Sequence, residues 1–384
     1  MRRLPERPSE LAGEVRRREV RGAGERRNVE RLAVAGVDQI LRAQKMPDRM
    51  DRSHRRRSVS PHRQVKDRLR AVDTRLVRSA CSLLFIAALT FGAVGPARPA
   101  VASADAKIAF VRFIPRVGHP RVYTVDPDGS DVQRLRLPVA ASEAPAWSPD
   151  GRRLAFIGGR NRPNEQHVQV EDELYVARAD GKRAKRLTAH RAHESAPAWS
   201  PDGKQIVFAR SLGRSIRSSL WIIGANGRGL RRLTTGAIDI QPSWSRRDEI
   251  AFVRIDPSSF QSAIRVVRPN RRGLRRLRTG LRNATRPVWS PDGSRLLLTN
   301  GRTLMVVNRN GRKRRIIVRL TADARGSRVD PEPAWSPDGR QVVFKELRPR
   351  TTGPADLWIV NADGSGRRRL TSSPWVDSDP HWRG

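Results

Sequence analysis

Cysteine is nearly absent from these 384 residues: Cys81 stands alone. One thiol excludes an internal disulfide framework, a paired-Cys metal site and a redox pair within the chain. Lysine is scarce too. Only eight of the 77 basic residues are Lys, against 38 acids, so the formal charge of +39 is carried by arginine. That balance fits attraction to nucleic acid, anionic polymer or an anionic membrane surface, and equally an Arg-rich codon bias. It speaks to solubility and non-specific binding and not to fold, and no specific nucleic-acid binding is read from it. Aromatic residues are missing altogether from residues 1–70, which carry arginine triplets at 16–18 and 55–57. Residues 1–74 are therefore expected to form an Arg-rich unstructured segment, having too little apolar surface to offset their ordering entropy. Within it, Val29, Leu32, Val37, Ile40 and Leu41 fall roughly on one face of a short helix over 28–44.

Long apolar runs are lacking as well. The uncharged stretch between Arg78 and Arg98 is diluted by Ser, Thr, Gly and Pro, marginal for a span that needs roughly 20 predominantly apolar residues. Its order is informative: basic residues, an apolar core over Leu83–Val94, then Ala102-Ser103-Ala104. That is the order of a secretory signal, so 75–104 is read as a signal peptide, with a membrane anchor as the alternative. A signal this deep in the chain implies a true start at Met46, Met50 or a later codon, or else a cytoplasmic arginine-rich tail; positive charge on the cytoplasmic side suits both. Cys81 precedes the apolar core, which does not suit a lipid-modified cysteine. The G-x-S-x-G elbow of a hydrolase domain is also missing.

What is present is a repeat. "PAWSPDG" stands at 145–151, 197–203 and 333–339, and "PVWSPDG" at 287–293. The markers Trp147, Trp199, Trp244, Trp289, Trp335 and Trp382 are spaced by 45 to 52 residues, the period of a propeller blade. Each unit holds four short β patterns, for example "PAWS", "RLAFIG", "ELYVA" and "AKRLT" in the unit of Trp147. Pro-Asp-Gly joins the first two: proline fixes φ, aspartate bonds its own backbone and glycine takes positive φ. Asp-Gly or Asn-Gly, as at 180–181, 226–227, 310–311 and 363–364, joins the last two.

The chain ends on "DPHWRG", a first strand with nothing after it. The repeat opens on "KIAFVR", "RVYTV" and "VQRLRL", three strands with nothing before them. Joined, they complete one blade. The expectation is an all-β, six-bladed β-propeller of four-stranded antiparallel blades over 105–384, closed by pairing the C-terminal strand with the N-terminal three. Closure removes exposed edges, and tryptophan on each innermost strand supplies the large apolar anchor between blades.

"PAWSPDGRRLAFIGG" followed by "ELYVARADGKRAKRLT" resembles the WD-like repeat of the TolB-like propeller family, and the resemblance covers 107–384. It implies a six-bladed ring in an extracytoplasmic space, acting through protein contacts. The full family architecture adds an N-terminal α/β domain, which residues 1–104 do not resemble. Prolyl-oligopeptidase relatives carry a similar propeller beside a hydrolase domain.

The candidate site is the axial mouth. Five residues before each marker Trp stand Ser142, Glu194, Asp239, Ala284, Asp330 and Asp377; three before stand Ala144, Ala196, Gln241, Arg286, Glu332 and Asp379. Equivalent positions of a ring converge on its axis. Glu194, Asp239, Asp330, Glu332, Asp377 and Asp379 are thus expected to form an acidic mouth around Arg286, unless they only cap turns. His190, His193 and Glu194 share one loop, but their spacing matches no metal-ligand pattern. "DPDGSD" at 126–131 begins like a calcium loop, yet Leu137 stands where the final Glu belongs. No cofactor is implied. The fourth strands carry basic runs, from Arg134, Lys185, Arg186, Arg231 and Arg232 through Arg275, Arg276, Arg314 and Arg315 to Arg367–Arg369. This outer belt protects edges or makes weak contact with anionic polymers or lipid head groups. The composite expectation is a non-enzymatic envelope propeller that binds a protein. The alternatives are a carbohydrate- or anionic-polymer-binding propeller, or an enzyme working at the axial mouth.

Overall fold

Strand-forming runs of Val, Ile and Phe separated by Gly-containing turns build every regular element among the described residues. In this computed structural model those residues are 106–160, 171–190, 192–212, 217–235, 238–301, 303–320, 330–348 and 354–384. The expected unstructured segment at 1–74, the helix over 28–44 and the signal or anchor at 75–104 lie outside them.

Blade 1 takes β1 (Ile108–Phe113), β2 (Pro120–Val125) and β3 (Gln133–Arg134) from the start of the repeat and β24 (Val376–Trp382) from its end. Blade 2 comprises β4 (Ala141–Trp147), β5 (Arg153–Arg160), β6 (Glu171–Arg178) and β7 (Lys185–Arg186). Blade 3 comprises β8 (Ala192–Trp199), β9 (Gln205–Leu212), β10 (Ser218–Gly224) and β11 (Arg231–Arg232). Blade 4 comprises β12 (Ile238–Trp244), β13 (Ile250–Ile255), β14 (Ser262–Val267) and β15 (Arg275–Arg276). Blade 5 comprises β16 (Thr285–Trp289), β17 (Arg295–Thr299), β18 (Thr303–Asn308) and β19 (Arg315–Arg319). Blade 6 comprises β20 (Ala334–Trp335), β21 (Gln341–Leu347), β22 (Ala355–Asn361) and β23 (Arg368–Arg369). All ladders within a blade are antiparallel.

The split blade forms as the sequence implies. β24 pairs β1 with Ile108 opposite Trp382 and Arg112 opposite Asp377. Six apolar clusters each draw on two successive blades, and the last of them joins blade 6 to blade 1 through Ala334, Val343, Leu357, Ile108 and Trp382. The largest fully buried side chains are Phe110, Phe156, Phe208, Phe252 and Phe344, all on second strands. Each removes about 150–250 Å² from water, so the anchor expected of the tryptophans is shared with them.

Two strand limits differ from the sequence expectation. In blades 1 to 4 the first strand begins four or five residues before its proline and runs seven or eight residues, whereas in blade 6 it keeps only Ala334–Trp335. Fourth strands shrink to two residues in five blades. There the leucine after the basic pair (Leu187, Leu233, Leu277 or Leu370) still donates its N–H to the third strand, at Leu174, Leu220, Ile264 or Leu357, while its side chain is buried between blades.

Two of the tryptophans act as clamps through their indoles, while Nε1 of Trp147, Trp289 and Trp382 is buried without a hydrogen-bond partner. Trp199 Nε1 donates to the Ala146 carbonyl of the preceding blade at 2.9 Å, and Trp335 Nε1 to Val288 at 3.1 Å. Arg153, Arg295 and Arg383 lie 4.7, 5.0 and 5.4 Å over Trp199, Trp335 and Trp147 of the next blade. Each also donates to the carbonyl of that blade's turn glycine, Gly203, Gly339 or Gly151. Trp244 departs from this: its indole donates to Asp248, which takes the glycine's place at φ 57°. The basic belt is used similarly. Lys185, Arg231, Arg315 and Arg368 donate to carbonyls of the next blade's outer hairpin, at Asn226, Pro269, Ala362 and Pro127.

Candidate functional site at the axial cavity

Each innermost strand carries proline two residues before its tryptophan. Proline has no N–H to give a ladder and closes the right-handed region to the residue before it. That restriction alone would leave the preceding residue extended, yet the residue three before the tryptophan is left-handed in all six blades: Ala144 (φ 46°), Ala196 (49°), Gln241 (54°), Arg286 (51°), Glu332 (44°) and Asp379 (46°). The ladder register slips there, between Glu143 and Ala146 in blade 2 and at matching places in blades 3, 4 and 5. These six residues line a cavity of about 350 Å³ with the six prolines and six tryptophans.

The slip corrects half of the expected mouth. A one-residue bulge turns the residues before it to the opposite face. The side chains five before the tryptophan therefore point into the blades. Glu194 is 3% exposed, Asp239 0%, Asp377 0% and Asp330 7%. Glu194 takes Arg210 at 2.5 and 2.9 Å, the Thr188 hydroxyl at 2.6 Å and the Leu174 N–H at 2.9 Å. Desolvation holds its carboxyl above the usual range in spite of these donors. Asp239 receives a two-pronged fork from Arg254 at 2.6 and 2.7 Å, and Asp377 one from Arg112 at 2.7 and 2.9 Å. Ser142 accepts the Val122 N–H. Glu194 and Ser142 tie neighbouring blades together, whereas Asp239 and Asp377 pair with arginines of their own blade, and none of the four lines the axial cavity.

Arg286, Glu332 and Asp379 do line the cavity, and two residues the mouth pattern did not include, Lys345 and Glu143, act on them from outside that lining. Arg286 Nε donates to Asp330 at 2.7 Å, and its Nη atoms lie 3.4 Å from Glu332 and 3.7 Å from Asp379. Lys345 Nζ lies 2.5 Å from Glu332, whose other oxygen accepts the Asp379 N–H at 2.7 Å. Burial and Glu332 push the Asp379 carboxyl up to about 6, against the pull of Arg286 and Lys345. Against the cost of burial, Asp330, Glu332 and Asp379 keep the Arg286 guanidinium firmly charged. Glu143, four before Trp147, is solvent-facing yet enclosed by protein. Burial, Asp172, Asp379 and Glu332 together push its carboxyl up to about 7. His381, half-buried and pushed down to about 4 by desolvation, accepts the Trp147 N–H at Nδ1 and so stands as the neutral ring. The lining is one-sided: Ala144 and Ala196 in blades 2 and 3 face a charged network from blades 5, 6 and 1.

The loop of His190, His193 and Glu194 does not converge. His193 Nδ1 lies 3.2 Å from Asp172 while Glu194 turns inward to Arg210. In "DPDGSD", Asp126 and Asp131 both take Lys107, and Asp128 takes the Ser130 hydroxyl and N–H, as a hairpin turn requires. The partners Arg112, Arg210 and Arg254 had a sequence signal: "FVR", "FAR" and "FVR" end the second strand in the three blades whose first strand carries the buried acid.

Residues 95–331, more than half of the chain, match the family described as TolB beta propeller domain. A Tol-Pal system protein TolB from Anaeromyxobacter dehalogenans (strain 2CP-1) is 35% identical over 123 residues, 32% of this chain and 26% of that protein. An uncharacterized peptidase, YuxL of Bacillus subtilis (strain 168), is 43% identical over 72 residues, 19% of this chain and 10% of that one. The chain thus spans about a quarter of such TolB relatives. Among solved structures, TolB from Acinetobacter baumannii superposes with a TM-score of 0.59 at 19% identity, covering 72% of this chain and 66% of that one. A chain of a nidogen/laminin complex gives 0.55 at 12%, covering 72% and 98%. At these identities the likeness is one of fold.

Proposed function

The chain belongs to the TolB β-propeller domain family, and on that premise we propose that it is a non-enzymatic, extracytoplasmic propeller whose axial end receives a protein partner at the cell envelope. The observation that carries this reading is the one-sided axial lining. Every blade brings one side chain to the axial cavity from the same left-handed backbone, and these side chains differ from blade to blade. An apolar sector at Ala144 and Ala196 beside the Arg286–Glu332–Asp379–Lys345 network suits a peptide segment with one apolar and one polar face. The name of the TolB relatives, a Tol-Pal system protein, supports a partner in the same compartment.

The test is crosslinking of the tagged full-length chain in fractionated native envelope, followed by identification of what is caught. Replacing Ala144 and Ala196 together by arginine fills the apolar sector without touching the ion network. The double variant should lose the captured partner at an unchanged melting temperature. Recovery of the chain in the cytoplasmic fraction, or equal capture by the variant, would defeat the reading.

A further inference from the structure

Blade 4 departs furthest from the repeat at its outer edge, though blade 5 sets Met305 against Ile316 and blade 1 has Arg121, its Nε and Nη1 buried unpaired, two residues before Tyr123. Across the outermost ladder, Tyr123 faces Arg134, Tyr175 faces Arg186, Trp221 faces Arg232 and Trp358 faces Arg369. In blades 2, 3 and 6 that arginine reaches an acceptor two residues before the aromatic. Arg186 lies 3.0 Å from Glu173, Arg232 2.7 Å from the Ser219 hydroxyl, and Arg369 2.8 Å from Asp356. In blade 4 the acceptor's place holds Ala263 and the aromatic's place holds Arg265, which faces Arg276. Arg276 therefore has no ion-pair or hydrogen-bond partner among the described residues, and the Nε of Arg265 is buried without one. The nearby Arg254 cannot help, being a third cation whose fork is spent on Asp239. Burial, Arg254 and Arg276 all weaken the hold of Arg265 on its proton.

Ala263 and Arg276 open onto a groove of about 690 Å³ whose other wall is the chain from 275 to 282. No acid lines it. Arg275 is answered by Glu249 at 2.9 Å, but Arg278 and Arg282, like Arg276, have no partner among the described residues. Crowded like charges raise the folded state's free energy unless an anion joins them, modestly at the exposed Arg276, Arg278 and Arg282 and more at the buried Nε of Arg265. A carboxylate offers two oxygens in one plane; a phosphate offers oxygens to several guanidinium forks at once.

We propose that this groove is a phosphate-binding site, taking a phosphate group either from a soluble compound or from a lipid head group. It is separate from the axial cavity and does not rest on the partner reading above.

The test uses the full-length chain with two probes: inorganic pyrophosphate, followed by calorimetry, and phosphatidylglycerol vesicles set against phosphatidylcholine vesicles. Ala263→Glu supplies Arg276 with the acceptor that Glu173 supplies in blade 2, and Arg276→Gln removes the cation. Each should weaken the binding by about tenfold or more, the equivalent of one charge-assisted hydrogen bond. Arg232→Gln in blade 3 should leave it unchanged, because Arg232 is already satisfied. The strong positive charge of the chain adds a salt-dependent background common to all four proteins, so the difference between them is what is read. Sensitivity to Ala263→Glu with pyrophosphate alone assigns a soluble phosphate; sensitivity with the anionic vesicles assigns a lipid head group. If Ala263→Glu destabilises the fold, Arg276→Gln decides. Binding of both probes unaltered in variants that melt with the parent, or no binding at low salt, overturns the proposal.

Discussion

The turns that follow the marker tryptophans, WSPDG in four of the six blades, and the residues just upstream of them lie on the same innermost strands, yet their chemistry runs in opposite directions. In the turns, Ser148, Ser200, Ser290 and Ser336 each donate to the aspartate two residues on, at 2.5 to 2.6 Å. The glycines that follow sit at φ 64° to 68°, and hydrogen bonds hold the Asp150 and Asp202 carboxyls below their usual range. Upstream, backbone φ is as uniform, but the side chains are Ala, Ala, Gln, Arg, Glu and Asp, and the carboxyls of Glu143 and Asp379 are pushed up. Where all six blades must meet their neighbours alike, the residues repeat and their charges are satisfied. Where the axis imposes only a backbone conformation, the side chains are free to diverge and their charges are left in tension. Uniformity marks the scaffold and divergence marks the site.

The largest perturbation removes one copy of both regions at once. Deleting residues 376–384 takes away β24, the Trp382 anchor, the Arg112–Asp377 fork and the clamp of Arg383 on Trp147. Total stability of a domain is about 5–15 kcal/mol, and opening one blade exposes two interblade clusters. The truncated chain should show no cooperative thermal transition by circular dichroism; a melting temperature within a few degrees of the parent would contradict closure by β24.

The next largest separates acids that knit blades from acids that face the axis. Glu194→Ala leaves Arg210 buried without its partner, and such breaks cost about 3–5 kcal/mol. Denaturant titration should register that loss at blade 3, with partial recovery in Glu194→Ala/Arg210→Met. A cost under about 1 kcal/mol would mean that Glu194 behaves as an exposed mouth residue after all.

Strand number, turn chemistry and closure were legible in the sequence because each has a local cause: Asn-Gly and Pro-Asp-Gly fix turns wherever they stand. The facing of Glu194, Asp239 and Asp377 was not. It depends on the bulge, and alternation counted from the tryptophan fails across a one-residue slip. The proline two before each tryptophan was the available sign of that slip. Ion partners were half legible: "FVR" and "FAR" recur in step with the acids, whereas Lys345 and Glu143 each stand in one blade alone and leave no period to read. The gap in blade 4 became visible only once Ala263 and Arg265 could be set beside Glu173 and Tyr175 in register.

The smallest effect tests whether the charges upstream of the turn are in tension. Glu143 has its carboxyl raised to about 7 by burial and by Asp172, Asp379 and Glu332. A carboxyl raised on folding binds more protons in the native state than in the unfolded chain between about pH 4.5 and 7, so its contribution to stability falls as pH rises through that window. Asp292 in the turn of blade 5 works the other way. Although burial opposes it, the Ser290 and Ser294 hydroxyls bring its carboxyl down to about 2, so its contribution is present above its unfolded value and lost as pH falls toward 2. Glu143→Gln removes the repulsion without removing bulk. The variant should be more stable than the parent at pH 8, by about 1 kcal/mol or less because the side chain faces solvent and is screened. The advantage should shrink toward zero near pH 4.5, where the parent's own carboxyl is protonated in the folded state. Melting curves at the two pH values decide it: an equal difference at both would show that glutamine packs better for some other reason, and a variant less stable at pH 8 would show that Glu143 is held by a favourable contact and not strained by its neighbours.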